Sequence, residues 1–189
     1  MDERTRKEPM SRFAPPDLVA AALRDGTLIE PLIAALWPQC YRVAAAITGD
    51  PRLAEDAAQE ACVVVHGALR SLREPAAFDG WMYRIVVREA TRIAKRHRAQ
   101  PHAAERLAAD DTTSIDIWRA MAALPPTLRA VVVLYYFDDV PADDIARVMR
   151  VSPVTVRTRL RRARERLRGI LSDDVDFPPV TLEAAHHAI

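Results

Sequence analysis

The sequence predicts an all-α fold, built as two small helical domains that a flexible linker joins. The chain has 189 residues, half of them hydrophobic, and only 5 glycines. Its apolar residues recur at spacings of three and four, the period of a helix buried on one face, rather than alternating as in strands. This period fails over residues 99–116, a mostly polar stretch that we interpret as the linker.

Three helices are expected in the first domain, residues 17–98. The predicted elements are helices at 28–47, 52–72 and 81–97, and a loop at 71–80. Gly49 and Pro51 mark the end of one helix and the start of the next. In the third helix Trp81, Ile85 and Ala90 are the expected core contacts.

The second domain, residues 117–171, ends in two helices with helix-turn-helix spacing. The predicted helices are 117–124, 128–137, 141–149 and 152–171. Ser152 is a good N-cap and Pro153 suits the first helical position, so the start of the last helix is well marked. Asp143 and Asp144 favour the positive N-terminus of the helix before it.

The last helix carries an apolar stripe on one side and arginines on the others. The stripe consists of Val156, Leu160, Ala163, Leu167 and Ile170, and the arginines are Arg157, Arg159, Arg161, Arg162, Arg164, Arg166 and Arg168. A helix that packs by one face and offers arginines on the other suits a DNA groove. The alternative is a solvated face in an arginine-biased chain, since Lys7 and Lys95 are the only lysines.

A second basic surface is expected on the helix at 81–97. Arg84, Arg88, Arg92 and Arg96 recur every four residues and form a straight stripe, which Lys95 and Arg98 widen. Like charges at this spacing destabilise a helix unless something neutralises them, and phosphates would do so. The stripe therefore favours DNA contact over a solvated face.

Composition narrows the possible classes of function and of cofactor. The net charge is only +1, but basic helices alternate with acidic segments, so a mixed total hides local positive fields. Cys40 and Cys62 lie in apolar helical patterns and are expected as buried free thiols. The histidines are scattered, which disfavours a zinc site, and we find no phosphate loop or nucleophile–base spacing; neither an enzyme nor a cofactor is expected.

The two ends of the chain are expected to be loosely ordered. Residues 1–16 are polar and contain prolines, which predicts a flexible arm, and residues 172–189 form an acidic tail. The start lacks the apolar core of a signal peptide, and no apolar run approaches the roughly 20 residues of a membrane span. We therefore expect a cytoplasmic protein.

Three blocks of the chain, taken together, resemble a bacterial sigma factor of the extracytoplasmic-function (ECF) group. Residues 54–69, AEDAAQEACVVVHGAL, are similar to the family's helix that docks on the clamp helices of core RNA polymerase. Residues 78–98, FDGWMYRIVVREATRIAKRHR, look like the segment that reads and helps open the minus-ten element. Residues 124–171 resemble the minus-thirty-five-binding domain. The order and spacing of the blocks make the resemblance specific.

The resemblance implies a role for each matching position. Asp56, Gln59 and Glu60 are expected to dock on the polymerase. Minus-ten contact is implied for Phe78, Asp79, Trp81, Arg84, Arg88, Arg92, Lys95 and Arg96. The loop at residues 71–79 is implied to capture an unstacked base. Minus-thirty-five contact falls to Thr155, Arg157, Thr158, Arg159, Arg161 and Arg162, with Arg157 and Arg161 flanking toward phosphates.

The implied partners are core RNA polymerase, through its clamp helices and flap, promoter DNA, and an anti-sigma protein. Two departures stand out. Arg88 and Arg92 replace the family's common Asn and Asp, so these positions are expected to bind phosphate rather than to read bases. Pro141 replaces the usual Ser cap. The alternative function is a free-standing helix-turn-helix regulator, which leaves residues 54–69 and the basic stripe unexplained.

Overall fold

The computed structural model describes residues 12–97 and 112–171, and all regular structure in these two ranges is helical. The α-helices are α1 (Pro16–Arg24), α2 (Ile29–Thr48), α3 (Pro51–Ala68), α4 (Phe78–His97), α5 (Thr112–Ala123), α6 (Pro126–Val132), α7 (Ala142–Met149) and α8 (Pro153–Arg168). Short 3-10 turns occupy Gly26–Leu28, Leu69–Ser71 and Pro75–Ala77, and a π-helix, Val133–Phe137, continues α6. The prediction of an all-α fold is confirmed.

The corner between α2 and α3 forms as its sequence predicts. Gly49 ends α2 at φ 71°, a left-handed conformation in which a side chain would be strained. Asp50 then caps α3: its carboxylate accepts hydrogen bonds from the backbone N–H groups of Arg52 and Leu53, at 2.8 and 3.1 Å. Pro51 takes the first helical position, where its missing N–H costs nothing.

Helices α7 and α8 form the predicted helix-turn-helix. Arg150 turns the chain in the left-handed region at φ 53°, and Ser152 caps α8 by accepting a hydrogen bond from Thr155 N at 3.1 Å. Pro141 provides no side-chain cap to α7, as expected, and Asp143 and Asp144 lie in its first turn. The predicted stripe is buried from Val156 to Leu167.

The structure differs from the sequence predictions at several boundaries. Ile170 is exposed rather than buried, because α8 ends at Arg168 and the helical spacing stops there. Phe13 and Ala14, inside the expected arm, are buried in the core, while residues 1–11 lie outside the described residues. The expected linker 99–116 overlaps α5, which begins at Thr112, and α4 begins at Phe78 inside the expected loop 71–80.

The two helical clusters pack against each other, with α6 and α7 on α4 and α6 on α2, and share one apolar core. Arg129 of α6 is buried and donates hydrogen bonds to carbonyls at three helix ends or corners: Ile47 O at 3.0 Å, Ala122 O at 2.6 Å and Leu124 O at 3.0 Å. Such carbonyls lack partners within their own helices, and a cation suits the negative end of the helix dipole. Arg129 therefore fastens the second cluster to the end of α2.

A second polar contact joins the clusters beside α4. Asp138, at the end of the π-helix, is buried and forms an ion pair with Arg42 of α2. Burial raises the pKa of Tyr83 on α4, and the negative charge of Asp138 nearby acts in the same direction. Within the described ranges no helix is long and apolar enough to cross a bilayer.

Candidate nucleic-acid interface and docking face

The N-terminal half of α8 holds the residues expected to read DNA, and they differ in accessibility. Thr158 is half-buried and Arg162 is exposed, on the side away from the Leu160 stripe. Thr155 is half-buried, and its hydroxyl lies 2.8 Å from that of Ser152, so it is engaged in the cap. Arg159 is also half-buried and its guanidinium contacts the Met149 sulfur at 3.9 Å, so it does not face outward with Arg162 as the sequence predicted.

The arginines flanking this surface form only weak ion pairs. Arg161 binds Glu165 one turn away at 2.7 Å, with both side chains more than half exposed. Arg157 lies 3.9 Å from Asp143 of α7, also at an exposed position. Exposed pairs contribute about 0–1 kcal/mol, so DNA phosphates would displace these acids at little cost.

Val154 belongs to this surface, although the sequence reasoning passed over it. It lies in the first turn of α8 and is 67% exposed. An apolar side chain in that place is suited to the methyl group of thymine. The signal was available in the sequence, since Val154 falls outside the stripe that begins at Val156.

The basic stripe on α4 is partly neutralised from within the protein. Glu89 is buried beside it and accepts hydrogen bonds from Arg88 Nε at 2.8 Å and Arg92 Nε at 2.7 Å. Arg92 also lies 4.0 Å from Glu60 of α3. The sequence predicted neutralisation of the stripe by phosphates, and Glu89 and Glu60 already supply part of it within the protein. Arg84, Arg88, Lys95 and Arg96 remain exposed, and Arg92 is half-buried.

The geometry around Glu89 keeps it ionised. Burial acts to raise its pKa, but the hydrogen bonds and charges of Arg92 and Arg88 outweigh burial, and the pKa lies below its ordinary value of 4.5. The α4 stripe thus has a carboxylate built into its base. Two of its arginines are oriented by that carboxylate before any DNA is present.

The aromatic end of the expected minus-ten surface is less accessible than the resemblance implied. Phe78 is buried and packs on Trp81 at a ring distance of 6.0 Å, so its ring is closed to an incoming base in this arrangement, and its minus-ten contact stays a prediction. Trp81, expected in the core, is only half-buried. Asp79 accepts a hydrogen bond from Arg12 N at 3.0 Å, so the end of the N-terminal arm reaches this site.

A groove of about 720 Å³ lies between α4 and the helix-turn-helix, beside the contact of α7 with α4. Its α4 wall includes Trp81 and the whole basic stripe, and its other wall includes Met149, Arg150 and Arg159. The structure thus brings together residues that the sequence assigned to two separate DNA elements. Because α7 packs directly on α4, a duplex cannot pass between these walls while the two clusters stay in contact.

The expected docking residues share one exposed face of α3. Asp56, Gln59 and Glu60 are all exposed, opposite the alanine-rich side that packs on α2 and α4. Val63 continues the same face one turn further and is 68% exposed, which the sequence reasoning did not single out. An exposed apolar residue beside acids suits a protein partner better than DNA.

Comparison with known proteins matches these two halves to two families in chain order. Residues 32–100 match Sigma-70 region 2, and residues 114–167 match Sigma-70, region 4. The ECF RNA polymerase sigma factor SigM of Mycobacterium tuberculosis is 34% identical over 141 residues, which cover 70% of this chain and 71% of SigM. The chain belongs to the ECF RNA polymerase sigma factors. Its function is accordingly that of a sigma subunit in the initiation of transcription.

Two further proteins extend the comparison. The ECF sigma factor SigE of Mycolicibacterium smegmatis is 32% identical over 149 residues, 70% of this chain but 57% of SigE. Among solved structures, the sigma factor RpoE in complex with the anti-sigma factor NepR from Bartonella quintana matches with a TM-score of 0.58 at 20% identity. That match covers 74% of this chain and 93% of the other, and shows a shared fold. Sigma factors are specificity subunits rather than catalysts.

Proposed function

We propose that this ECF sigma factor binds core RNA polymerase through α3, reads a minus-thirty-five element with α8 and contacts the minus-ten region with α4. The observation that carries the proposal is that both halves, matching regions 2 and 4, present an arginine-bearing helix. The polymerase supplies the chemistry and this chain supplies none. As a partner of polymerase it acts in the cytoplasm, and an anti-sigma protein is a further proposed partner.

On α8 some residues read bases and others bind phosphates. Arg162 and Thr158 are exposed or half-exposed away from the core and meet base edges, with Val154 against a thymine methyl. Arg157 and Arg161 exchange their exposed acid partners for phosphates. Arg159 lines the groove that faces α4 and reaches DNA only when the second cluster moves away from α4.

On α4 we assign Arg84, Arg88, Arg92, Lys95 and Arg96 to phosphates. Arg88 and Arg92 each share Glu89, so a free fork for bidentate base reading is not available to both. Because the groove faces the helix-turn-helix, the two clusters separate before α4 and α8 occupy two promoter elements. The contacts of Arg129 and of Arg42 with Asp138 are those that separation breaks.

Promoter-dependent transcription with purified core polymerase tests the proposal. The full chain should yield transcripts from its own promoters that core enzyme alone does not make. The charge reversals Asp56→Lys with Glu60→Lys should abolish core binding while leaving helix content and the binding of minus-thirty-five DNA by α8 intact. A matched reversal on α1 and α2, Asp17→Lys with Glu30→Lys, both at exposed positions, should leave core binding near normal. Binding of core without any promoter-dependent transcript would reject the sigma assignment in this form.

A further inference from the structure

The groove between the two clusters has a composition that calls for an anionic occupant. Among the described residues that line it are Arg84, Arg88, Arg92, Lys95, Arg96, Arg150 and Arg159, and none is Asp or Glu. Its remaining lining is largely apolar and includes Ile85, Val87, Val148 and Met149. Glu89 neutralises part of the charge of Arg88 and Arg92, and Glu60 lies 4.0 Å from Arg92, but Arg84, Lys95, Arg96, Arg150 and Arg159 meet no acid in the lining. Like charges within the Debye length of about 8 Å at physiological salt repel one another unless an anion lies among them.

The chain itself carries an acidic segment, residues 172–189, directly after the last described residue. Residues 172–189 follow directly on Leu171, which is buried against the core, and contain Asp173, Asp174, Asp176 and Glu183 but no Lys or Arg. From Arg159 to Leu171 is roughly 18 Å at the rise of a helix, whereas 18 extended residues span roughly 60 Å. The segment is therefore long enough to reach the groove.

The order of residues in the segment also matches the groove. Positions 174–177 read Asp, Val, Asp, Phe. In an extended chain successive side chains point to opposite sides, so Val175 and Phe177 would face one way and the two acids the other. The groove, with apolar residues and arginines in its lining, is complementary to this arrangement of side chains.

We propose that in the free protein the acidic tail, residues 172–189, lies in this groove and bridges α4 to the helix-turn-helix. It competes there with DNA for the α4 stripe and favours the arrangement in which both clusters are packed together. This inference rests on the proposed function only in treating α4 as a DNA surface. The contact between tail and groove stands independently of that role.

Fluorescence quenching by Trp81 tests the contact in the full chain. Bimane on a Pro178→Cys variant reports short-range contact with tryptophan, and both native cysteines are buried. We expect quenching that Trp81→Phe abolishes and that D173N/D174N/D176N relieves. The matched control D17N/E30Q/E55Q removes the same charge from α1, α2 and α3 and should leave the quenching unchanged. The proposal is overturned if quenching persists in Trp81→Phe or is unchanged in D173N/D174N/D176N.

Competition is measured with a short duplex of arbitrary sequence. The tail-neutralised variant should bind it about tenfold more tightly than the parent at 50 mM salt, with little gain for the control variant, since the excess affinity is electrostatic. Equal affinities alongside normal quenching would overturn the competition and leave only the contact. If no variant binds DNA while quenching still follows the tail acids, the proposed function fails and the tail contact stands.

Discussion

The two arginine-rich helices, α4 and α8, look alike in sequence but differ in what surrounds their charges. On α4 the acid is Glu89, buried and bound to both Arg88 and Arg92. On α8 the acid is Glu165, more than half exposed and paired with Arg161 one turn away. The stripe on α4 also faces the other cluster across a groove, whereas Arg162 on α8 faces solvent. The spacing of arginines thus predicts a basic surface, but neighbouring acids and packing decide whether DNA can reach it.

The largest loss of stability is expected at Arg129, whose hydrogen bonds hold the second cluster in place and so keep α4 covered. Arg129→Met removes the donor to Ile47 O, Ala122 O and Leu124 O and leaves buried carbonyls unsatisfied, so the free energy of unfolding should fall by about 3 kcal/mol. Urea denaturation followed by circular dichroism measures this. Arg24→Met, at an exposed position in α1, is the control. A loss below about 0.5 kcal/mol, typical of surface changes, would show that Arg129 does not fasten the clusters.

Gly49→Ala tests the other side of the same contact. An added Cβ would lie 2.6 Å from Arg129 Nη1 and would sit at φ 71°, so the substitution should destabilise by roughly 1–3 kcal/mol. Gly67→Ala in α3, where an added Cβ meets nothing within 4 Å, should be neutral or slightly stabilising. Thermal unfolding of the two variants gives the comparison, and equal effects would contradict it.

On α8, Arg162→Ala should weaken specific binding by about 1–3 kcal/mol and relax preference at one base pair if the guanidinium reads a base edge. Arg166→Ala, further along the helix, should instead weaken binding evenly across sequences and lower the salt slope by about 0.9. Competition binding over a randomised minus-thirty-five library separates these results. A uniform loss for Arg162→Ala would reduce its role to phosphate contact.

The two acids can be compared directly with Glu89→Gln and Glu165→Gln. Removing the buried carboxylate should cost about 1–3 kcal/mol of stability, whereas removing the exposed one should cost about 0–1 kcal/mol. The folded-state pKa of Glu89 lies below its ordinary value of 4.5. Its contribution to the free energy of unfolding is therefore fully present above pH 4.5 and is lost as the pH falls through the folded-state pKa. Urea titrations between about pH 3 and 6 should therefore show a shallower pH dependence for Glu89→Gln alone. Equal pH profiles for the parent and Glu89→Gln would contradict the assignment.

The smallest effect is expected at Val154. Val154→Ala should leave stability unchanged because the side chain is exposed, and should cost up to about 1 kcal/mol of binding only at sites with thymine at one position. Val156→Ala, two residues on and fully buried, should do the reverse and lower stability. Equal binding of thymine and cytosine at every position by both the parent and Val154→Ala would remove Val154 from the reading surface.

Local pattern was enough to predict α8 and its cap, because Ser152 and the Val156–Leu160 stripe act within one helix. It was also enough for the exposed face of α3, where polar and alanine positions separate at helical spacing. It could not reveal that Glu89 is buried, since burial depends on α3 and on the second cluster. Nor could it reveal the contact of Arg129 with Ile47, which joins residues 82 apart. The availability of α4 depends on such long-range contacts.

Photocrosslinking to promoter DNA tests the difference between α4 and α8 most directly. A benzophenone amino acid replaces Thr91, which lines the groove on α4, or Thr158, half-exposed on α8. The Thr158 probe should crosslink minus-thirty-five DNA with or without core polymerase, while the Thr91 probe should crosslink DNA only when polymerase is present and the clusters have separated. Equal crosslinking by the Thr91 probe without polymerase would contradict the account, because α4 would then be as open to DNA as α8.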